Sequence, residues 1–244
     1  MDDRQPSWSR FIPTWLLPSP CLACGRQAEP GAPHLGLCAR CRGRLEEPGA
    51  NSCSRCGRVL SGARLPPGFL CGRCRKRPPA FERLYAAWLY QAPFDDVIRA
   101  LKFGRLEYLG RALGAALAAR FATTLPPVDL VVPVPLHWRR RLSRGFNQAA
   151  AIGASFARAR HLPCRSLLRR KRATQPQSRL PRARRLANLR HAFALRRRRS
   201  LAGLSILLID DVSTTGATLD AAARALRHAG AQRVLAMVAA RTPD

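Results

Sequence analysis

Residues 205–218 read Ser-Ile-Leu-Leu-Ile-Asp-Asp-Val-Ser-Thr-Thr-Gly-Ala-Thr. The apolar run 205–210 is typical of a parallel strand that is covered on both faces. It ends in two carboxylates, and a turn of small hydroxyl residues with one glycine separates it from a predicted helix. A strand, a polar turn and a helix in this order predict an α/β domain, whose ligands lie beyond the carboxyl ends of the strands.

The segments around this stretch alternate between strand and helix patterns. This alternation predicts a parallel sheet with right-handed crossovers, in one α/β domain over residues 80–244. The further predicted strands are 81–90, 129–135 and 233–241, and the predicted helices are 93–103, 106–125, 145–160 and 218–229.

The turn after the strand has the chemistry of a phosphate site. Hydroxyl groups and the unpaired N–H groups of a helix start wrap a phosphate, and Gly216 allows the backbone to approach it closely. Asp210 and Asp211 would repel a phosphate, so we assign them to the cis-diol of a ribose or to a metal ion beside it. A helix N-cap needs one Asp, Ser or Thr. Six such residues stand in the nine positions 210–218. The predicted ligand residues are Asp210, Asp211, Ser213, Thr214, Thr215, Gly216, Ala217 and Thr218.

Eight of the nine cysteines form four Cys-x-x-Cys pairs. Two thiolates at this spacing reach one tetrahedral metal ion, at about 2.3 Å per Zn–S bond. Four disulfides would need an oxidising compartment, so two structural zinc sites are predicted, with sequential pairing of the cysteine pairs favoured over interleaved pairing. The double zinc ribbon is predicted over residues 1–76. The predicted zinc ligands are Cys21, Cys24, Cys38, Cys41, Cys53, Cys56, Cys71 and Cys74.

The charge of the chain is strongly positive. It has 43 Lys+Arg against 14 Asp+Glu, a net charge of +29, and no acidic residue stands between Asp129 and Asp210. A coding bias towards arginine explains the choice of cation but not the scarcity of carboxylates. A nucleic-acid partner and a solvated basic face both account for this charge. Since no stretch has the length of a membrane span and the start lacks the layout of a signal peptide, we expect a cytoplasmic protein.

Several motifs together resemble known families. Residues 210–218 resemble the motif of type I phosphoribosyltransferases that binds phosphoribosyl diphosphate (PRPP). Residues 131–137, Val-Val-Pro-Val-Pro-Leu-His, followed by Arg-Gly-Phe-Asn-Gln at 144–148, resemble the ComF family. The residues Thr174, Gln175 and Gln177, the run 185–193 and the cysteine-rich N-terminal region extend this resemblance over nearly the whole chain.

The resemblance implies roles for some of the matching positions. Asp210 and Asp211 would hold the ribose hydroxyls, residues 213–218 the 5′-phosphate, and residues 169–185 would form a mobile hood. Mg²⁺ would accompany the PRPP. The residues implied for the diphosphate or a second ligand are Pro133, Val134, Pro135, Arg144 and Asn147.

The resemblance also implies a function in natural competence. A ComF-like chain would be a cytoplasmic accessory protein of DNA uptake that binds single-stranded DNA, with a competence helicase or another DNA-processing protein as partner. Trp138 and Phe146 would offer stacking surfaces to bases. Two alternatives stay open, an active phosphoribosyltransferase with an unknown acceptor and a non-catalytic sensor of PRPP or a nucleotide. Because residues 212–219 lack a carboxylate that would act as a base, no catalytic residue is assigned.

Overall fold

The computed structural model describes most of the two predicted regions. The described residues are 20–27, 35–60, 62, 64–104, 106–137, 142–170, 192–197 and 199–243. Trp138, the motif residues between 174 and 188, and the predicted hood beyond residue 170 lie outside them.

Every predicted helix and strand is present, and the structure adds two short helices in the cysteine-rich region and two short strands at 168–170 and 193–195. The helices are α1 (Ala39–Arg42), α2 (Gly72–Lys76), α3 (Phe94–Phe103), α4 (Glu107–Arg120), α5 (Gln148–Ala159) and α6 (Ala217–His228). The strands are β1 (Leu84–Leu89), β2 (Leu130–Pro133), β3 (Leu168–Arg170), β4 (Phe193–Leu195), β5 (Ser205–Ser213) and β6 (Arg233–Arg241).

The central sheet of the described residues is parallel throughout. Its strand order is β1-β6-β5-β2, and β3 pairs with β4 in a separate antiparallel hairpin. The predicted α/β fold with a parallel sheet is therefore confirmed. The carboxyl ends of β2 and β5 lie side by side, which is where the sequence places its polar loops.

Helices cover both faces of the sheet. Along β5, Leu207 and Ile209 face one buried cluster with α3, α4 and α5, while Ile206 and Leu208 face a second cluster with α6. Alternate side chains of a strand point to opposite faces, so a continuous apolar run requires this double cover. α4 and α5 approach closely at Gly114, where a Cβ atom would lie 2.4 Å from the carbonyl oxygen of Ile152.

Several element boundaries differ from the predicted ones, most of all in β5, α4, α5 and β1, which begins at Leu84 rather than at residue 81. β5 continues to Ser213, past the predicted end at residue 210, because β6 is long enough to pair with it up to Arg241. α4 ends at Arg120 in a series of turns. α5 begins at Gln148 rather than at Gly145, which has a φ of +81° and breaks the helical pattern.

The two cysteine-rich regions are attached to the body in different ways. Cys21, Cys38 and Cys41 belong to the same buried cluster as α3, α4 and one face of the sheet. By contrast, Cys53, Cys71 and Cys74 form a small cluster of their own, with Leu60, Phe69 and Leu70 packed around it. The first cysteine group is thus part of the main core, whereas the second has a small core of its own.

In the described part of the chain, we find no helix that is both long and apolar enough to cross a membrane.

Candidate functional site

A cavity of about 240 Å³ opens beyond the carboxyl ends of β2 and β5. Three cationic residues, Lys102, Arg144 and Arg170, line it together with the carboxylates of Asp210 and Asp211. Cations and carboxylates therefore share one small space, as a ligand with both phosphate and hydroxyl groups requires.

Each of the two carboxylates accepts a hydrogen bond from the backbone N–H that follows it. The N–H of Asp211 donates to Asp210 Oδ1 at 2.9 Å, and the N–H of Val212 donates to Asp211 Oδ1 at 2.7 Å. Lys102 Nζ lies 3.2 Å from Asp211 Oδ2. Burial, reinforced by the charge of Asp211, raises the pKa of Asp210 to about 8, and Lys102 acts in the opposite direction. Without a ligand, this carboxylate pair is an electrostatic cost to the fold.

The predicted phosphate loop, residues 213–218, turns directly from β5 into α6. Gly216 has a φ of +74°, a left-handed conformation that strains any other residue. The N–H of Ala217 donates to Thr215 Oγ1 at 3.3 Å, which closes the turn. Thr218 lies in the first turn of α6 and lines the cavity, so the positive end of the helix dipole borders it.

The structure brings part of the predicted site residues to the cavity surface. Those that line it are Val134, Pro135, Arg144, Asn147, Asp210, Asp211, Thr214 and Thr218. The others form the supporting backbone of the loop and of β2: Pro133, Ser213, Thr215, Gly216 and Ala217. Ser213 is buried, and its Oγ has no hydrogen-bond partner among the described residues.

The residues at the start of α5 form a second polar wall of the cavity. Asn147 Nδ2 donates to the carbonyl oxygen of Val134 at 3.1 Å, which ties α5 to the turn after β2. Arg144 Nη1 donates to Gln148 Oε1 at 3.3 Å. Gln148 is only 2% exposed, and its Nε2 has no partner within the described residues. This buried donor lines the cavity and is available to a ligand oxygen.

Lys102 and Gln148 were not among the predicted site residues. Gln148 belongs to the 144–148 motif, which by itself does not single out this residue as a ligand. Lys102 is one of just three lysines among 43 basic residues, which was the signal that could have singled it out. Its helix, α3, buries Val97 and Leu101, and Lys102 lies beside them on the side that faces the cavity.

The cysteines gather into two tetrads in sequential order. Within each tetrad the four Sγ atoms lie within 4.8 Å of one another, and the sets are Cys21, Cys24, Cys38 and Cys41, and Cys53, Cys56, Cys71 and Cys74. The Sγ atoms of Cys24 and Cys38 are 3.7 Å apart. Those of Cys56 and Cys71 are 3.8 Å apart. A tetrahedral zinc ion with Zn–S bonds of about 2.3 Å needs S···S distances of about 3.8 Å, so both tetrads fit zinc.

The electrostatics of the tetrads also favour a bound cation. Burial and the nearby charges of Cys56 and Cys53 raise the pKa of Cys74. Burial opposes ionisation of Cys53 as well, but backbone N–H donors of Cys56, Cys71 and Arg55 outweigh it and lower its pKa to about 7. Thiolates crowded at these distances repel one another, and a divalent cation removes that repulsion.

Comparisons with protein families agree with both parts of this architecture. Residues 12–75 match the family described as "Double zinc ribbon domain", and residues 153–244 match the family described as "Phosphoribosyl transferase domain".

Two relatives are similar to this chain over about two thirds of its length. "DNA utilization protein YhgH" of Salmonella typhi is 35% identical over 175 residues, which cover 68% of this chain and 75% of that protein. "Competence protein F" of Haemophilus influenzae is 29% identical over 166 residues, 65% of this chain and 72% of that protein. The chain belongs to the ComF family. Its resemblance to that family, drawn from the sequence motifs, is thereby confirmed.

Among solved structures, this ComF-family chain is similar to a glutamine PRPP amidotransferase from B. subtilis, with 21% identity and a TM-score of 0.37. That match covers 53% of this chain and 25% of the amidotransferase. It is also similar to an adenine phosphoribosyltransferase from Leishmania tarentolae, with 19% identity and a TM-score of 0.35 over 59% of this chain and 62% of that chain.

Proposed function

We propose that this ComF-family protein binds PRPP with Mg²⁺ in the cavity and single-stranded DNA across the mouth of the cavity, as an accessory protein of DNA uptake. The observation that carries the PRPP proposal is the cavity itself. It joins two carboxylates, a hydroxyl-rich loop at a helix N-terminus and three cationic side chains. This is the set of groups that a sugar with phosphates at both ends requires.

The ribose, the 5′-phosphate and the diphosphate of PRPP each have matching protein groups in the cavity. The carboxylates of Asp210 and Asp211 accept hydrogen bonds from the ribose hydroxyls, and the 5′-phosphate lies on the loop at Thr214 and Thr218. The diphosphate lies towards Arg144 and Arg170, where cationic donors bind phosphate strongly. Bound Mg²⁺ would neutralise part of the diphosphate charge.

Replacing Lys102 with alanine is expected to weaken Mg²⁺–PRPP binding about tenfold or more. The substitution removes a cation from the cavity and leaves Asp211 without its ion-pair partner at 3.2 Å. It also removes the charge that lowers the pKa of Asp210. Isothermal titration calorimetry measures the change.

Arg99→Ala is the matched control for Lys102→Ala. Arg99 lies one turn earlier on α3 and is exposed, with ion pairs to Asp95 and Asp96 only at the surface. Ion pairs at the surface contribute little to stability. Arg99→Ala should therefore bind Mg²⁺–PRPP as tightly as the wild type. Unchanged affinity in Lys102→Ala would contradict the assignment of the cavity.

An exposed aromatic side chain lies next to two residues that line the cavity, Lys102 and Arg144. Phe103 follows Lys102 at the end of α3 and is 74% exposed, and the Arg144 guanidinium carbon lies 5.6 Å from the centre of its ring. The predicted stacking residue Phe146 instead packs against the core. Bases stack on exposed aromatic rings while cations follow the phosphates, so Phe103 and Arg144 favour a single strand crossing the cavity mouth. The names of the relatives, which refer to competence and to the use of DNA, support a nucleic-acid ligand.

Replacing Phe103 with alanine is expected to abolish the preference of the protein for bases. The wild type should bind an oligothymidylate about fivefold or more tightly than an abasic oligomer of equal length and charge, because stacking contributes about 1–3 kcal/mol per base. Phe103→Ala should bind both oligomers equally, and Phe103→Trp should restore the difference. Fluorescence anisotropy at fixed ionic strength measures these affinities, since phosphate contacts depend strongly on salt. A preference that survives in Phe103→Ala would overturn the stacking role.

The two cysteine tetrads support a reducing compartment for this function. The eight cysteines are grouped in two tetrads that fit a metal ion rather than in disulfide pairs. Because such thiol sites persist in the cytosol and oxidise outside it, we place the protein in the cytoplasm.

A further inference from the structure

The second zinc ribbon touches the phosphate loop directly. Arg73 lies between Cys71 and Cys74, and its Nη1 donates to the carbonyl oxygen of Thr215 at 2.6 Å. This short bond links a side chain held between two metal-binding cysteines to the peptide that precedes Gly216.

A second arginine holds the joint between the ribbon and the body. Arg55 lies between Cys53 and Cys56, and it donates to the carbonyl oxygens of Pro79 and Phe81, both at 3.3 Å. The ring of Phe81 packs against Gly216, where a Cβ atom would lie 3.7 Å from its Cζ.

The same joint is tied to the helix that follows the loop. The N–H of Ala80 donates to Asp220 Oδ1 in the first turn of α6, at 2.7 Å. The second ribbon and the joint therefore contact both the peptide before Gly216 and the first turn of α6 after it.

The bond from Arg73 determines the orientation of one peptide plane. In a trans peptide the C=O and the following N–H point in opposite directions. Because Arg73 holds the Thr215 oxygen on the side of the ribbon, the N–H of Gly216 points away from the ribbon. If this peptide were inverted, the Thr215 oxygen would take the place of the Gly216 N–H. A carbonyl oxygen repels a phosphate, so the orientation of this peptide plane decides whether the loop accepts an anion.

We propose that Arg73 is a positioning residue for the phosphate loop and that it couples ligand affinity at the loop to the second metal site. The inference rests on the proposed phosphoribosyl function. The metal closes the two cysteine pairs that carry Arg55 and Arg73, so loss of the metal releases the loop. The first ribbon has no equivalent contact among the described residues: Arg40, at the matching position between Cys38 and Cys41, is exposed.

The test compares Arg73→Ala with Arg40→Ala in the full-length zinc-loaded protein. Arg73→Ala should weaken Mg²⁺–PRPP binding about tenfold in calorimetry, as expected for the loss of a charge-assisted hydrogen bond. It should also speed hydrogen exchange of the amides of residues 213–217 in the ligand-free protein. Arg40→Ala should match the wild type in both measurements, and all three proteins should retain two zinc ions.

The two readouts separate this inference from the proposed function. Wild-type affinity together with wild-type exchange in Arg73→Ala would overturn the positioning role. If the wild type itself binds no PRPP, the proposed function fails, and loop exchange alone decides whether Arg73 holds the loop.

Linkage gives a converse test of the coupling. If the second metal site raises ligand affinity, Mg²⁺–PRPP must raise the zinc affinity of that site by the same factor. Competition with a chromophoric zinc chelator should show this protection in the wild type and a much smaller one in Arg73→Ala. Equal protection in both proteins would refute the coupling through Arg73.

Discussion

Cys41→Ser is expected to lower the melting temperature of the entire protein by about 10 °C or more. Cys41 holds the first metal centre, which shares a buried cluster with α3, α4 and the sheet. Structural zinc contributes several kcal/mol to folding, and each kcal/mol corresponds to about 2–4 °C in a chain of this size. Differential scanning calorimetry measures the change, with zinc content falling from two ions to one.

Cys74→Ser is the matched variant in the second centre. It should lose one zinc ion as well, but the main transition should shift much less, because Cys53, Cys71 and Cys74 form a separate small cluster. Equal shifts for the two variants would contradict the asymmetric attachment of the ribbons.

Asp210→Asn is expected to stabilise the ligand-free protein by about 2–4 °C and to abolish stabilisation by Mg²⁺–PRPP. Asparagine keeps the oxygen that accepts the N–H of Asp211 but removes the repulsion between the two carboxylates. It also loses the charged acceptor that the ribose hydroxyls require. Stability and ligand binding should therefore change in opposite directions.

The pH dependence gives Asp210→Asn a further test. The folded pKa of Asp210 is raised from its ordinary value of 3.8 to about 8. Between these values the folded state holds a proton that the unfolded state releases, so this group makes the wild type less stable as the pH rises. The stabilisation by Asp210→Asn should thus be larger at pH 9 than at pH 6. A variant that is less stable than the wild type at pH 9 would contradict the proposed repulsion.

The local parts of the fold could be predicted from the sequence. The apolar run 205–210 indicates a strand buried on both faces because its pattern leaves no polar side. The Cys-x-x-Cys pairs predict metal sites because the spacing is set by the metal geometry. The carboxylates and hydroxyl groups at the end of β5 are adjacent in sequence, so the core of the candidate site is contained in one short segment.

The residues that sequence reasoning missed act through contacts between distant segments. Lys102 meets Asp211 only because α3 packs beside the carboxyl end of β5. Arg73 reaches Thr215 across 142 residues of sequence, and no local pattern encodes that approach. The sequential grouping of the cysteine pairs likewise needed the structure, since spacing allows both pairings.

The most direct test of the PRPP site is the thermal stability of the wild-type protein with and without Mg²⁺–PRPP. Ribose 5-phosphate and Mg²⁺–pyrophosphate serve as control ligands, each carrying one part of PRPP. At a hundredfold excess over its dissociation constant, PRPP should add about 2.7 kcal/mol, a rise of several degrees that exceeds the rise with either part. An unchanged melting temperature with PRPP at millimolar concentration would contradict the assignment of the cavity as a phosphoribosyl diphosphate site.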